Sequence, residues 1–309
     1  MAYDESAGAG TATMRAIRLH VPGGPEDLVL EQIETPSLRE GEALVRVHAA
    51  AITRDELEWP VDRLPAIPSY ELSGVVVACT PDVDDVAAGD PVYALTPFDR
   101  DGGAADYTRV PADLLAPKPQ TLDHVHSAAL PLAALSAWQG LFVHGGLEEG
   151  QRVLIHGAGG GVGHLAVQLA RGRGAYVIGT ASSAGADVVR SLGAHDVIDH
   201  TAARFEDVLE PVDLVFDTVG GELLSRSPAV VREGGRIVSV AEEPPAGIEG
   251  VYFVVEPNRG QLVELTRLVD AGDLRPAVDS VFPLADAPAA FARSMAAGKR
   301  GKVVLRVAD

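Results

Sequence analysis

The sequence predicts an α/β protein in which an all-β unit precedes a doubly wound parallel sheet. Between Met14 and about Lys118 the chain consists of short runs of alternating apolar residues broken by Gly, Pro and Asp, a pattern typical of short β-strands. From Arg152 to Ala241 strand-like and helix-like segments alternate, which favours parallel strands joined by crossover helices. A glycine-rich turn, RVLIHGAGGGVG, joins the first of these strands to the first of these helices.

The composition is that of a globular chain, and it restricts the possible partners. Of the 309 residues, 47% are hydrophobic and 22% are charged, which provides enough apolar material for a core and excludes a fibrous or disordered protein. The formal charge of −19 predicts no nucleic-acid partner and no anionic lipid surface. The sequence contains no apolar run of about 18 residues or more, so no membrane span is predicted. Because Cys79 is the only cysteine, no intrachain disulfide or cysteine zinc cluster forms, which predicts a cytoplasmic protein.

The elements are predicted in the following order along the chain. Residues 1–13 lack periodicity and are predicted to form a disordered leader, and the apolar segment 124–142 is predicted to be helical despite Pro131. The later predicted strands are 152–157, 175–180, 195–199, 213–219 and 236–241, and the predicted helices are 162–174, 186–193, 222–235 and 260–272. Strands 278–284 and 302–307 are expected to return to the first unit. The predicted domains are therefore 14–126 together with 273–309, and 127–272.

The glycine-rich turn has the features of a dinucleotide-binding loop. Gly157 permits a tight turn, Gly160 and Gly161 let the backbone approach a pyrophosphate, and Gly163 lets the helix pack on the strand. The helix N-terminus then offers N–H groups and a positive dipole end to phosphates. The spacing is G-x-x-G-x-x-G, and the alternative is a purely structural turn. A P-loop is excluded because no G-K-[ST] follows.

The end of the second parallel strand favours NADP(H) over NAD(H). Thr180, Ser182 and Ser183 stand where an NAD-binding protein usually has an acidic residue, and no acid occurs before Asp187. A carboxylate there would repel a 2′-phosphate, whereas small hydroxyl groups would not. The alternative is that Ser182 only caps the next helix.

Motifs along nearly the whole chain from Met14 resemble one known family. They are MRAIRLHVPGGPEDLVLEQIETP, GEALVRVHAAAIT, SGVVV, AGDPVYAL, GGAADY, AALPLAALSAWQGL, GAGGGVGHLAVQLA, SLGAHDVID, FDTVGG, GGRIVSV and RGKVVL. Together they resemble the zinc-free, quinone oxidoreductase-like (zeta-crystallin-type) branch of the medium-chain dehydrogenases/reductases. The resemblance implies a GroES-like β domain, a Rossmann domain with NADP(H) in the cleft between them, and a homodimer. The apolar segment VYFVVEP independently predicts a sheet edge that must be covered, by pairing with a second copy.

The resemblance also implies which residues surround the cofactor and which do not bind metal. In the zinc-dependent branch a cysteine and the histidine of a GHE triplet bind zinc, whereas this chain has Thr53 and Ser69-Tyr70-Glu71 at those places, which predicts no metal. The residues carried over to the cofactor site are Ser136 near the nicotinamide, Gly160, Gly161, Val162 and Gly163 at the pyrophosphate, Thr180, Ser182, Ser183 and His200 at the adenosine ribose, and Thr218, Val219, Val240, Phe253, Val254 and Val255 on the nicotinamide side.

The function implied is an NADPH-dependent oxidoreductase that transfers hydride to a quinone or an α,β-unsaturated carbonyl, a small-molecule partner. Conjugation in such acceptors spreads the developing charge, so strong Lewis-acid assistance is less necessary. Tyr70, Thr53 and Glu56 are the polar candidates facing the cleft; Tyr70 either donates a proton or only fills the place of the zinc, and Glu56 is expected to hold its loop. The alternatives are an enoyl reductase of a polyketide or fatty-acid pathway and a non-catalytic NADPH-binding sensor.

Overall fold

The computed structural model describes residues 12–59 and 62–308, so residues 1–11 of the predicted leader lie outside the described part. Thr13 already belongs to the first strand, one residue before the predicted start at Met14. The strands are β1 (Thr13–Leu19), β2 (Leu28–Glu34), β3 (Glu42–Ile52), β4 (Glu71–Cys79), β5 (Pro91–Leu95), β6 (Tyr107–Pro111), β7 (Ala116–Pro117), β8 (Arg152–Ile155), β9 (Tyr176–Ala181), β10 (Asp196–Asp199), β11 (Val212–Asp217), β12 (Val231–Ser239), β13 (Gly250–Tyr252), β14 (Val278–Pro283) and β15 (Lys302–Arg306).

The α-helices are concentrated after residue 123, in agreement with the predicted all-β character of the first part. They are α1 (His124–Ala128), α2 (Pro131–Trp138), α3 (Gly163–Gly172), α4 (Ser183–Ser191), α5 (Phe205–Val208), α6 (Gly221–Arg226), α7 (Arg259–Ala271) and α8 (Ala287–Met295). None of the helices in the described ranges is long and apolar enough to cross a membrane.

The first unit is built on a seven-stranded sheet that the chain enters twice. Its order is β14-β15-β3-β4-β5-β7, and β6 pairs with the other end of β3. The late strand β15 pairs antiparallel with β3, so the last part of the chain returns to this sheet as the sequence predicted. Helix α8 buries Ala287, Ala290 and Phe291 against the same core. The last strand is thereby fixed beside residues that come more than two hundred positions earlier.

The second unit is a six-stranded parallel sheet in the order β10-β9-β8-β11-β12-β13. Counted from β8 this is the order 3-2-1-4-5-6 of a Rossmann fold, with the crevice at the point where the order reverses, between β8 and β11. Val153 and Ile155 of β8 face one core, while Leu154 faces a second core with Phe205 and Leu224. Both faces of the sheet are therefore covered, as buried parallel strands require.

Two predicted helices differ from the structure because of proline. The segment 124–142 is broken into α1 and α2, since Pro131 lacks an N–H and occupies the first turn of α2, and a π-helical segment (Gln139–His144) follows. The predicted helix 222–235 is wrong beyond its first turns: α6 ends at Arg226, Pro228 lies in a 3-10 turn, and β12 begins at Val231. The short α5 and the whole of α8 were not predicted.

The two units share buried contacts near the predicted domain boundary. The boundary between residues 126 and 127 falls inside α1, whose Val125 and Ala128 pack with Ala49 and Val304 of the first sheet. The Tyr93 hydroxyl of β5 also donates a 2.6 Å hydrogen bond to the Leu262 carbonyl of α7. Both contacts join the first sheet to helices of the following part of the chain.

Candidate active site

The glycine-rich loop leaves β8 at the crevice and is packed too tightly for side chains. Gly157 has a φ of +70°, and a Cβ there would lie 2.7 Å from the Thr218 hydroxyl oxygen. A Cβ on Gly163 would lie 2.1 Å from the Gly157 carbonyl oxygen. By contrast, a Cβ on Gly160 or Gly161 would meet no atom closer than 3.1 Å. Gly157 and Gly163 therefore shape the turn, while Gly160 and Gly161 leave backbone open on its outer side, which fits the pyrophosphate of a dinucleotide.

The structure brings the predicted cofactor residues to one edge of the parallel sheet. The carboxyl ends of parallel strands meet at this edge, and ligands of such sheets bind there. Val162 and Gly163 begin α3 after β8. The other positions are Thr180 at the end of β9, Ser182 and Ser183 after it, His200 after β10, Thr218 and Val219 after β11, Val240 after β12, and Phe253, Val254 and Val255 after β13. Ser136 belongs to α2 rather than to a strand end.

At the adenosine side, Thr180 and the two serines have different surroundings. The Thr180 side chain is buried, and its hydroxyl oxygen accepts a 3.2 Å hydrogen bond from the Gly157 N–H. Ser182 and Ser183 are exposed, and the Ser182 side chain makes no capping hydrogen bond to α4. The structure therefore does not support the alternative in which the Ser182 side chain caps α4. His200 is exposed beside them, and its N–H donates to the Ala181 carbonyl.

On the nicotinamide side the predicted residues alternate between buried and exposed. The Ser136 hydroxyl donates to the Leu132 carbonyl at 2.8 Å within its own helix. Phe253 and Val255 are buried, whereas Val254 is 58% exposed. These residues lie just beyond the end of β13 rather than within a strand, because β13 has only three residues. Phe253 is held by its N–H, which donates to the Ser239 carbonyl at 3.1 Å.

A positively charged cluster beside the loop was missed by the sequence analysis. The Lys302 side chain passes 3.2 Å from the point where a Gly161 Cβ would lie. Burial, together with the charges of Lys302 and Arg54, lowers the pKa of Lys299 to about 8. The signal was present in the sequence: the chain has only three lysines, and two of them stand within four residues in GKRGKVVL. The positive charges that an anionic cofactor needs in a chain of charge −19 are therefore local.

Lys302 also connects the loop to the place that binds zinc in zinc-dependent relatives. Its Nζ lies 2.5 Å from Oε1 of Glu71 and donates to the Thr53 hydroxyl oxygen at 3.1 Å. The side chains of Lys302 and Glu71 are 6% and 0% exposed, and the second Glu71 oxygen accepts the Leu132 N–H at the start of α2. The ion pair therefore joins two strands of the first unit, and the second Glu71 oxygen connects it to α2. Removal of one partner would leave a buried charge.

Glu56 holds the loop after β3, as its predicted structural role requires. One of its carboxyl oxygens accepts the Thr53 N–H and the other accepts the Ser69 N–H, each at 3.1 Å. Complete burial raises the pKa of Glu56 to about 8, with a smaller contribution from the charge of Glu71. Ser69 has a φ of +69° at the position of the glycine in the GHE triplet, a conformation that costs a serine free energy.

Tyr70 is enclosed by aromatic side chains and an arginine. It is 0% exposed; its ring centroid lies 5.4 Å from that of Phe98 and 5.6 Å from that of Trp59. Its hydroxyl oxygen accepts a 2.6 Å hydrogen bond from Arg63, and burial raises the pKa of Tyr70 to about 12. This burial favours the second of the two readings, in which Tyr70 fills the place of the zinc. Trp59 also contacts Phe98, at 4.8 Å between ring centroids, and so anchors the loop.

His164 connects the glycine-rich loop to Ala277, the residue before β14. Its Nε2 accepts the Ala277 N–H at 3.0 Å, so its Nδ1 carries the hydrogen and donates to the Gly160 carbonyl at 2.9 Å. Burial lowers the pKa of His164 to about 4, so the ring is neutral at physiological pH. The Ala277 carbonyl in turn accepts the Lys302 N–H.

Comparison with known proteins identifies the family. One model, described as the alcohol dehydrogenase GroES-like domain, matches residues 39–120, and a second, described as zinc-binding dehydrogenase, matches residues 192–305. A probable zinc-binding oxidoreductase of Arthroderma benhamiae, a mitochondrial protein, is 35% identical over 322 residues, which cover 96% of this chain and 97% of the relative. This chain belongs to the medium-chain dehydrogenases/reductases.

Other members of the family point to its quinone oxidoreductase-like branch, which confirms the resemblance and the predicted fold class. The quinone oxidoreductase of Coxiella burnetii has a solved structure with a TM-score of 0.88 and 31% identity, covering 96% of this chain and 100% of that chain. The chloroplastic NADPH-dependent alkenal/one oxidoreductase of Arabidopsis thaliana is 35% identical over 92% of this chain and 77% of its own length.

Some of these relatives are named as zinc-binding, but the side chains of this chain do not suit a zinc ion. Within residues 12–59 and 62–308 no group of three His, Cys, Asp or Glu side chains could hold a metal ion. Thr53 faces the Lys302 ammonium, a cation that would repel a second one, and the Tyr70 hydroxyl is engaged by Arg63. The donor set here is therefore unlike the thiolate and imidazole ligands that zinc takes.

Proposed function

We propose that the chain is a zinc-independent, NADPH-dependent oxidoreductase that reduces a quinone or an α,β-unsaturated carbonyl. The observation that carries the proposal is the cradle formed by Gly157 and Gly163 at the sheet edge, where side chains are sterically excluded and local cations gather. The relatives named as NADPH-dependent alkenal/one oxidoreductase and quinone oxidoreductase support the same chemistry.

When bound, NADPH supplies the hydride that reduces the acceptor, and the chain binds, orients and shields the reactants. The Lys302 stem packs beside Gly161 through its Cδ, while its ammonium pairs with Glu71 and orients the Thr53 hydroxyl. Thr53 is the better placed of the two hydroxyl candidates, because it is partly exposed while Tyr70 is covered. Since the Thr53 oxygen accepts from Lys302, its own hydrogen is available to an acceptor oxygen that gains negative charge during reduction.

The test begins with fluorescence titrations of NADPH and NADH. A quinone series and a panel of small enones follow, with oxidation of the reduced nicotinamide measured by absorbance. We expect NADPH binding, acceptor-dependent oxidation and no loss of rate after exhaustive chelation. Loss of activity on chelation that zinc restores would refute zinc independence. Binding without oxidation by any acceptor would replace the proposal with a sensor or a pathway-specific enoyl reductase.

We further propose a homodimer that forms at β13. This strand is the edge of the parallel sheet, and Tyr252 and Val254 beside it are exposed. An apolar edge with free main-chain groups pairs readily with a second copy. Gel filtration with light scattering tests this proposal: we expect a dimer at micromolar concentration that Val254→Lys weakens, and a monomeric wild type would contradict it.

The cytoplasmic location remains a prediction that rests on the single cysteine. The relative from Arthroderma benhamiae is named as mitochondrial and the relative from Arabidopsis thaliana as chloroplastic. Fractionation of the native cells, with an antibody against the chain, tests the prediction.

A further inference from the structure

The adenosine side of the site has no basic residue nearby in sequence that can meet a 2′-phosphate. The loop after β9 reads Thr180-Ala181-Ser182-Ser183, and the next basic residue is Arg190. Arg190 lies on α4 and pairs with Asp187 at 3.1 Å. Hydroxyl groups tolerate a phosphate, but a phosphate in a chain of charge −19 needs a cation to bind it tightly.

The fold supplies that cation from a distant part of the chain. Nη2 of Arg300 donates a 2.7 Å hydrogen bond to the carbonyl oxygen of Ala184, across a separation of 116 residues. Ala184 is in the first turn of α4, directly after Ser182 and Ser183. Arg300 is exposed, and this contact uses only one of the several N–H donors of a guanidinium.

Hydrogen bonds hold the backbone at Arg300 and at Lys302, which limits the positions that the Arg300 side chain can reach. The Arg300 N–H donates to Oδ1 of Asp279 at 2.9 Å, and Arg293 holds the same carboxylate through two hydrogen bonds of 2.8 and 2.7 Å. Two residues later, the Lys302 N–H donates to the Ala277 carbonyl at 2.9 Å. A Cβ on the intervening Gly301 would lie 2.1 Å from that carbonyl oxygen, so the segment packs closely on its neighbour.

Arg300 and Lys302 stand two residues apart and contact different parts of the second unit. Cδ of Lys302 lies beside Gly161 in the glycine-rich loop, and Arg300 contacts the first turn of α4, directly after the loop that follows β9. We propose that Arg300 binds the 2′-phosphate of the nucleotide and sets the preference for NADPH over NADH. This inference rests on the proposed function, because it assumes that the glycine-rich loop holds a dinucleotide. The specificity group then comes from the segment that returns to the first unit, not from the Rossmann sheet.

The test compares nucleotide binding by the full-length wild type and Arg300→Gln. Fluorescence titration gives the Kd of NADPH and NADH, and competition gives that of 2′,5′-ADP and of 5′-ADP. We expect Arg300→Gln to weaken NADPH and 2′,5′-ADP by about tenfold or more, as loss of a charge-assisted contact predicts, and NADH and 5′-ADP by less than about twofold. Arg300→Lys keeps the charge, so its Kd for NADPH should lie between those of the wild type and Arg300→Gln.

Arg306→Gln is the matched control, because Arg306 is an exposed arginine at the far end of β15, the strand that begins two residues after Arg300. It removes the same charge from the chain and should leave every Kd unchanged. Equal weakening of NADPH and NADH by Arg300→Gln would overturn the inference, since the role would then be structural or at the pyrophosphate. Unchanged affinities would also overturn it, as would a wild type that does not distinguish the two nucleotides.

The outcomes also separate this inference from the proposed function. Binding is measured without an acceptor, so selective NADPH binding lost in Arg300→Gln supports the inference even if no quinone or enone is reduced. Conversely, quinone reduction by a protein whose NADPH affinity is indifferent to Arg300 would refute only the role of Arg300.

Discussion

Replacing Gly163 with alanine tests whether the glycine-rich loop is shaped as the structure has it. The added methyl group would lie 2.1 Å from the Gly157 carbonyl oxygen and 2.8 Å from Cα of Ala158. Ordinary contact begins near 3.4 Å, so the backbone of the turn would have to move by more than an ångström. Both neighbours are main chain and cannot rotate away. We expect Gly163→Ala to destabilise the fold by about 1–3 kcal/mol, the usual cost of overpacking.

The same displacement should disturb nucleotide binding more than it disturbs folding. Gly160 lies between the two clashing residues, and its N–H donates to the Gly157 carbonyl at 2.8 Å. Movement of that carbonyl therefore moves the backbone that faces the pyrophosphate. We expect the Kd of NADPH to rise at least about tenfold, because charge-assisted contacts to backbone N–H groups depend on their geometry.

Gly172 provides a matched control in the same helix. It is the last residue of α3, and a Cβ there would meet no atom within 4 Å. Gly172→Ala should stabilise the protein by about 0.5–1 kcal/mol, through helix propensity and reduced freedom of the unfolded chain, and leave NADPH binding unchanged. Urea unfolding followed by circular dichroism and NADPH titration measure both effects. If Gly163→Ala unfolds at the wild-type urea concentration and binds NADPH normally, the tight loop packing is refuted.

Three further predictions concern the buried polar groups. Lys302→Met should destabilise the fold by about 3–5 kcal/mol, because it leaves Glu71 buried without its cation. In urea unfolding, the double variant Lys302→Met with Glu71→Gln should recover much of this loss. Additive losses from the two substitutions would contradict the ion pair. Burial holds the pKa of His164 near 4, against about 6.5 in an unfolded chain. Between these two pH values the unfolded state binds more protons than the folded state. The free energy of unfolding should therefore fall by up to about 3 kcal/mol as the pH drops from about 6.5 to 4. His164→Gln should show a shallower decline, and an identical profile would exclude His164 as a cause. Thr53→Val should lower kcat by about tenfold or more while Tyr70→Phe changes it by less than about threefold; the reverse order would restore Tyr70 as the proton donor.

The parts of the fold that local sequence determines were predicted well. The Rossmann alternation was recognised because buried parallel strands and amphipathic helices leave distinct periodicities, and the glycine-rich turn marks the first crossover. The prediction failed at residues 231–235, where the helix was extended through Pro228 into what is the start of β12. The strand at Val231 depends on the pairing of β12 with β11, a long-range interaction that the segment itself does not encode.

The candidate site likewise contains residues that local sequence predicts and residues whose contacts are long-range. Residues at the ends of parallel strands were predicted because one topological rule gathers them at one edge. Lys302 contacts Thr53 across 249 residues, and Arg300 contacts Ala184 across 116, so neither has a local pattern that reveals its partner. Both contacts depend on the position of the last part of the chain, where β15 pairs with β3. The role proposed for Arg300 would make this returning segment part of the nucleotide site.

The role proposed for Arg300 would explain how a chain of charge −19 can bind an anionic cofactor selectively. A general positive field would attract any anion, whereas Arg300 presents its charge only where its segment meets α4. Because the segment belongs to the sheet of the first unit and the glycine-rich loop to the second, nucleotide affinity depends on how the units are held together. His164 makes one of the bonds between them, through the Ala277 N–H. We therefore expect substitution of His164 to weaken NADPH binding, because the buried ring connects Gly160 to Ala277.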